Sequence, residues 1–143
     1  KVREKFAGRL QQSTGMSKED KDMLAYGANI WSKNIDFMNS ASLAMNAKYL
    51  AVLQPTLGLG SDYCTTLEKK CMLSDPTYIA RINYLYSILR EHCSARDYCL
   101  DISNDHDLTS NDSLYTDARH PNSKGNKKIA GLMRERVIQS LSD

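Results

Sequence analysis

The chain has 143 residues, of which 41% are hydrophobic and 25% are charged, and its formal net charge is +2. This length suits one domain with a real core, and the near-neutral charge gives no reason to expect nucleic acid or an anionic membrane as a partner. No apolar run approaches the roughly 18 residues that a membrane span needs, so no span is predicted.

The first half of the chain predicts two helices and a strand. A short helix is expected over residues 2–12, and Ser17, three residues before Asp20, resembles the start of a capping box for a longer one. The run YLAVLQ at 49–54 is short, continuous and stopped by Pro55, which is typical of a strand buried on both faces. Apolar residues of the longer helix recur at the spacing of one helix face: Trp31, Ile35, Met38, Ala41 and Met45.

The second half of the chain predicts a helix, a strand and a further helix. After a long loop over 55–74, Asp75 is predicted to cap a helix over 76–93 that begins with a proline. The segment DYCLDIS at 97–103 predicts a second strand. A polar loop then leads to a final helix over about 123–141.

This order is typical of an α/β protein with a parallel sheet, because crossover helices return the chain so that both strands point the same way. Ligands of such sheets bind beyond the carboxyl ends of the strands. The loops that start at Pro55 and Asn104 lie at that edge, and Asp117 and His120 end the second loop. A sheet of two short strands cannot cover three or four amphipathic helices, which indicates that further strands are missing from the chain.

The four cysteines, Cys64, Cys71, Cys93 and Cys99, lie around the helix predicted over 76–93, and none form a Cys-x-x-Cys pair. Two disulfides are therefore favoured over a zinc site, and with them a secreted, periplasmic or cell-surface location. A helix over 76–93 is about 27 Å long, which separates Cys64 and Cys71 at one sheet edge from Cys93 and Cys99 at the other. Because a bridge needs Cα atoms within about 7 Å, the pairs Cys64–Cys71 and Cys93–Cys99 fit best.

The stretch YTDARHPNSKGNKKIAGLM places Asp117 three residues before His120 at the entrance of the last helix. A histidine that acts as a general base needs a partner on its other ring nitrogen, and an aspartate there fixes the tautomer and stabilises the imidazolium. Asn122 or Ser123 can cap the helix, and Gly125 allows a close approach. The alternative is that Asp117 and His120 only form a turn and a capping pair.

The stretch LYTDARHPNSKGNKKIAGLM resembles the C-terminal block of the SGNH (GDSL) hydrolase superfamily, and YLAVLQPTLGLG resembles its penultimate strand and following loop. With DYCLDIS, the resemblance covers about residues 31–140. It implies a three-layer α/β/α fold with a parallel sheet, SGNH- or flavodoxin-like, of which this chain supplies about the last two strands and their helices. It also implies that Asp117 orients His120 as general base for a serine, with no metal and no organic cofactor.

The family's Gly-Asp-Ser and Gly-x-Asn-Asp blocks, which carry the nucleophile and oxyanion donors, do not occur in this sequence. Residues 1–143 are therefore expected to be the C-terminal part of a single SGNH-like domain. Its N-terminal portion, covalently attached or cleaved, is the expected partner that carries the serine. Ser61 in GLGSDY is an internal alternative, although a nucleophile elbow requires glycine where Tyr63 stands.

The expected function is hydrolysis of an ester-bearing substrate, and a carbohydrate deacetylase is one enzyme of this kind. The alternative is a non-catalytic extracellular binding or structural protein that retains the SGNH-like fold. The missing nucleophile favours this alternative for the chain alone, whereas the Asp-x-x-His pair favours the hydrolase.

Overall fold

The structure is a computed structural model that describes residues 16–57, 59, 77–105, 108, 112–117 and 119–142. A short 3₁₀ turn precedes the last helix at Asp112–Leu114. The helix predicted over 2–12 and the cap predicted at Asp75 lie outside the described residues. Within them, the helices and strands in chain order are α1 (Lys18–Ala44), β1 (Ala51–Leu53), α2 (Tyr78–Ser94), β2 (Cys99–Asp101) and α3 (Ser123–Ser142).

The two strands pair in parallel, as predicted, and the described residues form a mixed α/β arrangement. Ala51 lies opposite Cys99, and Leu53 lies opposite Asp101. Each strand has three residues and is shorter than the predicted run. At the end of β2 the Asp101 carboxylate accepts a hydrogen bond from the N–H of Ser103 at 2.8 Å, and this local turn ends the ladder.

Side chains that alternate along the strands reach helices on both faces. Leu53 and Cys99 pack in one cluster with residues of α1 and α2, including Ala28 and Leu89. Side chains of the opposite parity face α3, and this second cluster contains Val52, Leu100, Ile102, Leu108, Ile129, Leu132 and Met133. The strand pair is thus covered by α1 and α2 on one face and by α3 on the other.

Helix α1 begins at its predicted cap, since the Ser17 Oγ accepts a hydrogen bond from the Asp20 N–H at 3.0 Å and donates one to the Asp20 carboxylate at 2.8 Å. Its predicted apolar stripe is only partly buried. Ile35 is buried, but Met38 and Met45 are 48% and 73% exposed. The reason is length: α1 extends over about 40 Å and α2 over about 26 Å, so α2 cannot cover the last turns of α1.

The disulfide predicted between Cys93 and Cys99 is present and joins the end of α2 to the start of β2. The other predicted bridge, Cys64–Cys71, lies outside the described residues. Among the helices that are described, none combines the length and the apolar character of a membrane span.

Arg96, which lies between α2 and β2, joins this segment to α1. Its guanidinium donates to both carboxylate oxygens of Asp36, at 2.5 and 2.8 Å, and to the hydroxyl of Ser32 at 2.7 Å. The Tyr98 hydroxyl also donates to Asp36. These hydrogen bonds to Arg96 and then to Tyr98 hold the pKa of the Asp36 carboxyl well below its usual value.

We expect the Asp36→Asn substitution to lower stability near neutral pH, and the difference from the wild type to shrink as the pH falls. A carboxyl whose pKa is lower in the folded than in the unfolded chain stabilises the fold above about pH 4 and loses that contribution as it is protonated. Urea unfolding at about pH 7 and about pH 2–3 measures the two differences. Asp22→Asn, a substitution of an exposed α1 carboxylate, is the matched control. A difference that does not change with pH would contradict this account.

Candidate active site

Asp117 and His120 lie at the tip of a closed turn whose described residues are 114–117 and 119–122. Two backbone hydrogen bonds of 2.8 Å join the arms of the turn, one of them from the N–H of Thr116 to the carbonyl of His120. Tyr115 is only 5% exposed and anchors the turn in the core. The cluster that surrounds its ring contains Leu57, Leu59, Tyr78 and Ile82.

Asn122 caps α3, as one of the two predicted alternatives. Its Oδ1 accepts from the N–H groups of Lys124 and Gly125 at 2.9 and 3.1 Å, and its Nδ2 donates to the carbonyl of Ser113 at 2.7 Å. Gly125 packs so closely on the turn that a Cβ there would lie 2.3 Å from the Leu114 carbonyl oxygen, which confirms the predicted close approach. The cap and the glycine together fix the turn onto the first residues of α3.

Asp117 holds His120 through both backbone and ring. Its Oδ1 accepts from the N–H of Arg119 at 2.8 Å and of His120 at 3.0 Å. The two carboxylate oxygens lie 3.0 and 2.8 Å from the imidazole Nδ1. The Arg119 N–H and the His120 ring lower the pKa of Asp117 to about 2, so this carboxyl is ionised at neutral pH.

An ionised carboxylate at Nδ1 selects the tautomer that carries its proton on Nδ1. The Nε2 of neutral His120 is then the basic nitrogen, as a general base requires. The side chains of His120 and Asp117 are 77% and 58% exposed, so the pair itself adds little to stability. Asn122 forms the cap of α3, so Asp117 and His120 do not cap this helix. The turn of that predicted alternative is present, because Asp117 accepts from the N–H groups of Arg119 and His120.

A cleft of about 390 Å³ opens beside this turn at the carboxyl end of β1. Gln54 and Pro55, which follow β1, line it together with Arg119. The Arg119 guanidinium carbon lies 5.7 Å from the ring centroid of Tyr78 in the first turn of α2. The topology had placed Asp117 and His120 at this edge, but the sequence reasoning missed Arg119. The only signal was its position between the two residues of the Asp-x-x-His pair.

Ser61, the internal alternative for a nucleophile, lies outside the described residues. Across the part of the chain that the structure describes, no group of three or more His, Cys, Asp or Glu side chains is placed to hold a metal ion. No family model, curated protein or solved structure matches the chain. The SGNH resemblance thus stays a prediction.

We expect nitrogen chemical shifts to show His120 with a protonated Nδ1 and an unprotonated Nε2 whenever its ring is neutral. Asp117→Asn removes the charge that selects this tautomer, so the two ring nitrogens should become more alike. Long-range proton–nitrogen correlation spectra measure this directly, with Asp22→Asn as the control. A neutral ring that carries its proton on Nε2 in the wild type would contradict the assignment.

Two glycines of α3 offer a matched test of how the turn is seated. Gly125→Ala should lower the free energy of unfolding by about 1–3 kcal/mol, because the new methyl group meets the Leu114 carbonyl, which is backbone and cannot swing away. Gly131→Ala meets nothing within 4 Å and should raise that free energy by about 0.5–1 kcal/mol. Urea unfolding of both variants is the measurement. Equal effects would show that Gly125 is not packed against the turn.

Proposed function

We propose that this chain carries the acid–base part of a serine ester hydrolase of the SGNH type. The observation that carries the proposal is the ionised Asp117, fixed by two backbone N–H groups and bound to Nδ1 of His120. This arrangement leaves Nε2 exposed on a turn beside a cleft. Parallel strands with helices on both faces are compatible with a three-layer α/β/α domain.

The proposed role of Asp117 and His120 is proton transfer. His120 Nε2 takes the hydroxyl proton of a serine as its oxygen attacks the ester carbonyl carbon, and then delivers that proton to the departing alcohol oxygen. A water molecule attacks the acyl-serine in the same way and releases the carboxylic acid. Asp117 stabilises the imidazolium at both stages and stays ionised.

The serine is proposed to come from an N-terminal portion of the same domain, since the sequence contains neither a Gly-Asp-Ser nor a Gly-x-Asn-Asp block. The Cys93–Cys99 disulfide supports a secreted, periplasmic or cell-surface location. An ester of a carbohydrate is one substrate that such an enzyme would meet there. The same lack of a nucleophile block favours the second candidate, a non-catalytic extracellular binding or structural protein.

Labelling with a fluorophosphonate, followed by non-reducing intact mass, tests the proposal on the native preparation. We expect a labelled serine on the polypeptide that contains this sequence or on a chain that co-purifies with it. A label on Ser61 would place the nucleophile in the loop after β1 instead. The absence of any label, with a single species of 16.1 kDa, would overturn the hydrolase and favour the binding protein.

Substitutions in the pair, made in the protein that also contains the labelled serine, test its role in turnover of phenyl acetate. His120→Ala should lower kcat/KM at least about 10³-fold, and Asp117→Asn about 10²–10⁴-fold, because both remove stabilisation that develops only as the proton moves. Asp22→Asn is the matched control and should leave kcat/KM unchanged. Unchanged turnover in His120→Ala would remove His120 from the mechanism.

A further inference from the structure

The cleft beside the turn carries positive charge on its wall. Two of its described lining residues are arginines, Arg81 and Arg119, and none of them is an aspartate or a glutamate. In a concave surface of low polarity, charges of one sign concentrate the field and attract ligands of the opposite sign. The cleft is therefore suited to an anion.

The remaining surface of the cleft is mostly apolar. Ile82 and Leu85, one turn apart on α2, line it together with Leu24 of α1. The Tyr86 hydroxyl, also at this cleft, donates to the carbonyl of Gln54 at 2.9 Å. A volume of about 390 Å³ lies in the range of sites that hold small organic ligands, so an anion bound here would have an apolar body.

Arg119 is placed to bind the charged end of such a ligand. Its backbone N–H is fixed by Asp117, and its guanidinium lies over the ring of Tyr78. Within the described residues, no carboxylate forms an ion pair with this guanidinium. The guanidinium of an arginine is a planar fork of N–H donors, and this fork matches the geometry of a carboxylate.

We propose that this cleft binds an organic carboxylate, with its charge on Arg119 and its apolar body against Ile82 and Leu85. Arg119 directly precedes His120, so the proposed anion site and the base are carried by the same turn. The substrate of the hydrolase is then an ester that also bears a carboxylate. The proposed binding site does not depend on the hydrolase activity, whereas the choice of substrate rests on the proposed function.

Binding of naphthoate to the whole chain, followed in proton–nitrogen correlation spectra, tests the site. We expect neutral naphthamide to bind at least about tenfold more weakly than naphthoate, since it cannot form charge-assisted hydrogen bonds with the guanidinium. Arg119→Gln should weaken naphthoate about tenfold and leave naphthamide unchanged, which also reports that the cleft is intact. Arg119→Lys, which keeps the charge and loses the fork, should give an intermediate affinity.

Arg134→Gln on α3 removes one positive charge away from the cleft, and its effect on naphthoate should stay within about twofold. Equal affinities for naphthoate and naphthamide, or equal effects of Arg119→Gln and Arg134→Gln, would overturn the site.

Turnover of acetoxybenzoate and of phenyl acetate, measured on the protein that also contains the serine-bearing portion, separates this proposal from the hydrolase. Naphthoate binding without any ester turnover would remove the hydrolase and leave the anion site. Turnover with no preference for acetoxybenzoate, or a preference that survives in Arg119→Gln, would leave the hydrolase and overturn the substrate class.

Discussion

Parallel pairing of β1 with β2 is the constraint on which the rest of the structure depends. Two strands that point the same way need a helix to carry the chain back, and α2 does so between Leu53 and Cys99. The crossover gives the strand pair two different edges. At the amino edge, the disulfide and the contact of Arg96 with Asp36 join α1, α2 and β2. At the carboxyl edge lie the cleft and the turn that carries His120. The disulfide and the Arg96–Asp36 ion pair thus lie at the opposite end of the two strands from the proposed chemistry.

The turn at the carboxyl edge is anchored by its buried residue Tyr115, not by Asp117 and His120 at its tip. Tyr115 buries its ring among residues of α2 and of the segment after β1, and burial raises the pKa of its hydroxyl. That hydroxyl has no hydrogen-bond partner within the described residues, which costs about 1–3 kcal/mol. A buried ring of 150–250 Å² contributes about 4–6 kcal/mol at 25 cal/mol per Å², so packing outweighs the unpaired hydroxyl. This anchor fixes the position of the turn, although the side chains of Asp117 and His120 are exposed.

Those parts of the fold that depend on local signals were predictable from the sequence. The Ser17 cap and the alternation of helix and strand follow from neighbouring residues, which also limited the cap of α3 to Asn122 or Ser123. The bridge between Cys93 and Cys99 followed from topology together with the length of α2. The burial of α1 was not predictable, because Met38 and Ile35 share a helix face and only their distance from α2 separates them. The contact of Arg119 with Tyr78 joins residues far apart in sequence, and no local pattern indicates it.

Asp117 connects the two proposed roles of the site, proton transfer by His120 and carboxylate binding by Arg119. One of its oxygens accepts the N–H of Arg119, and the same carboxylate contacts the ring of His120. The residue that sets the tautomer of the base therefore also sets the backbone from which the arginine reaches the cleft. The short spacing in Asp-x-x-His is what makes this possible, since both hydrogen bonds close within four residues. Substitutions of Asp117 should for this reason alter both proton transfer and ligand binding, whereas substitutions of Arg119 can alter ligand binding alone.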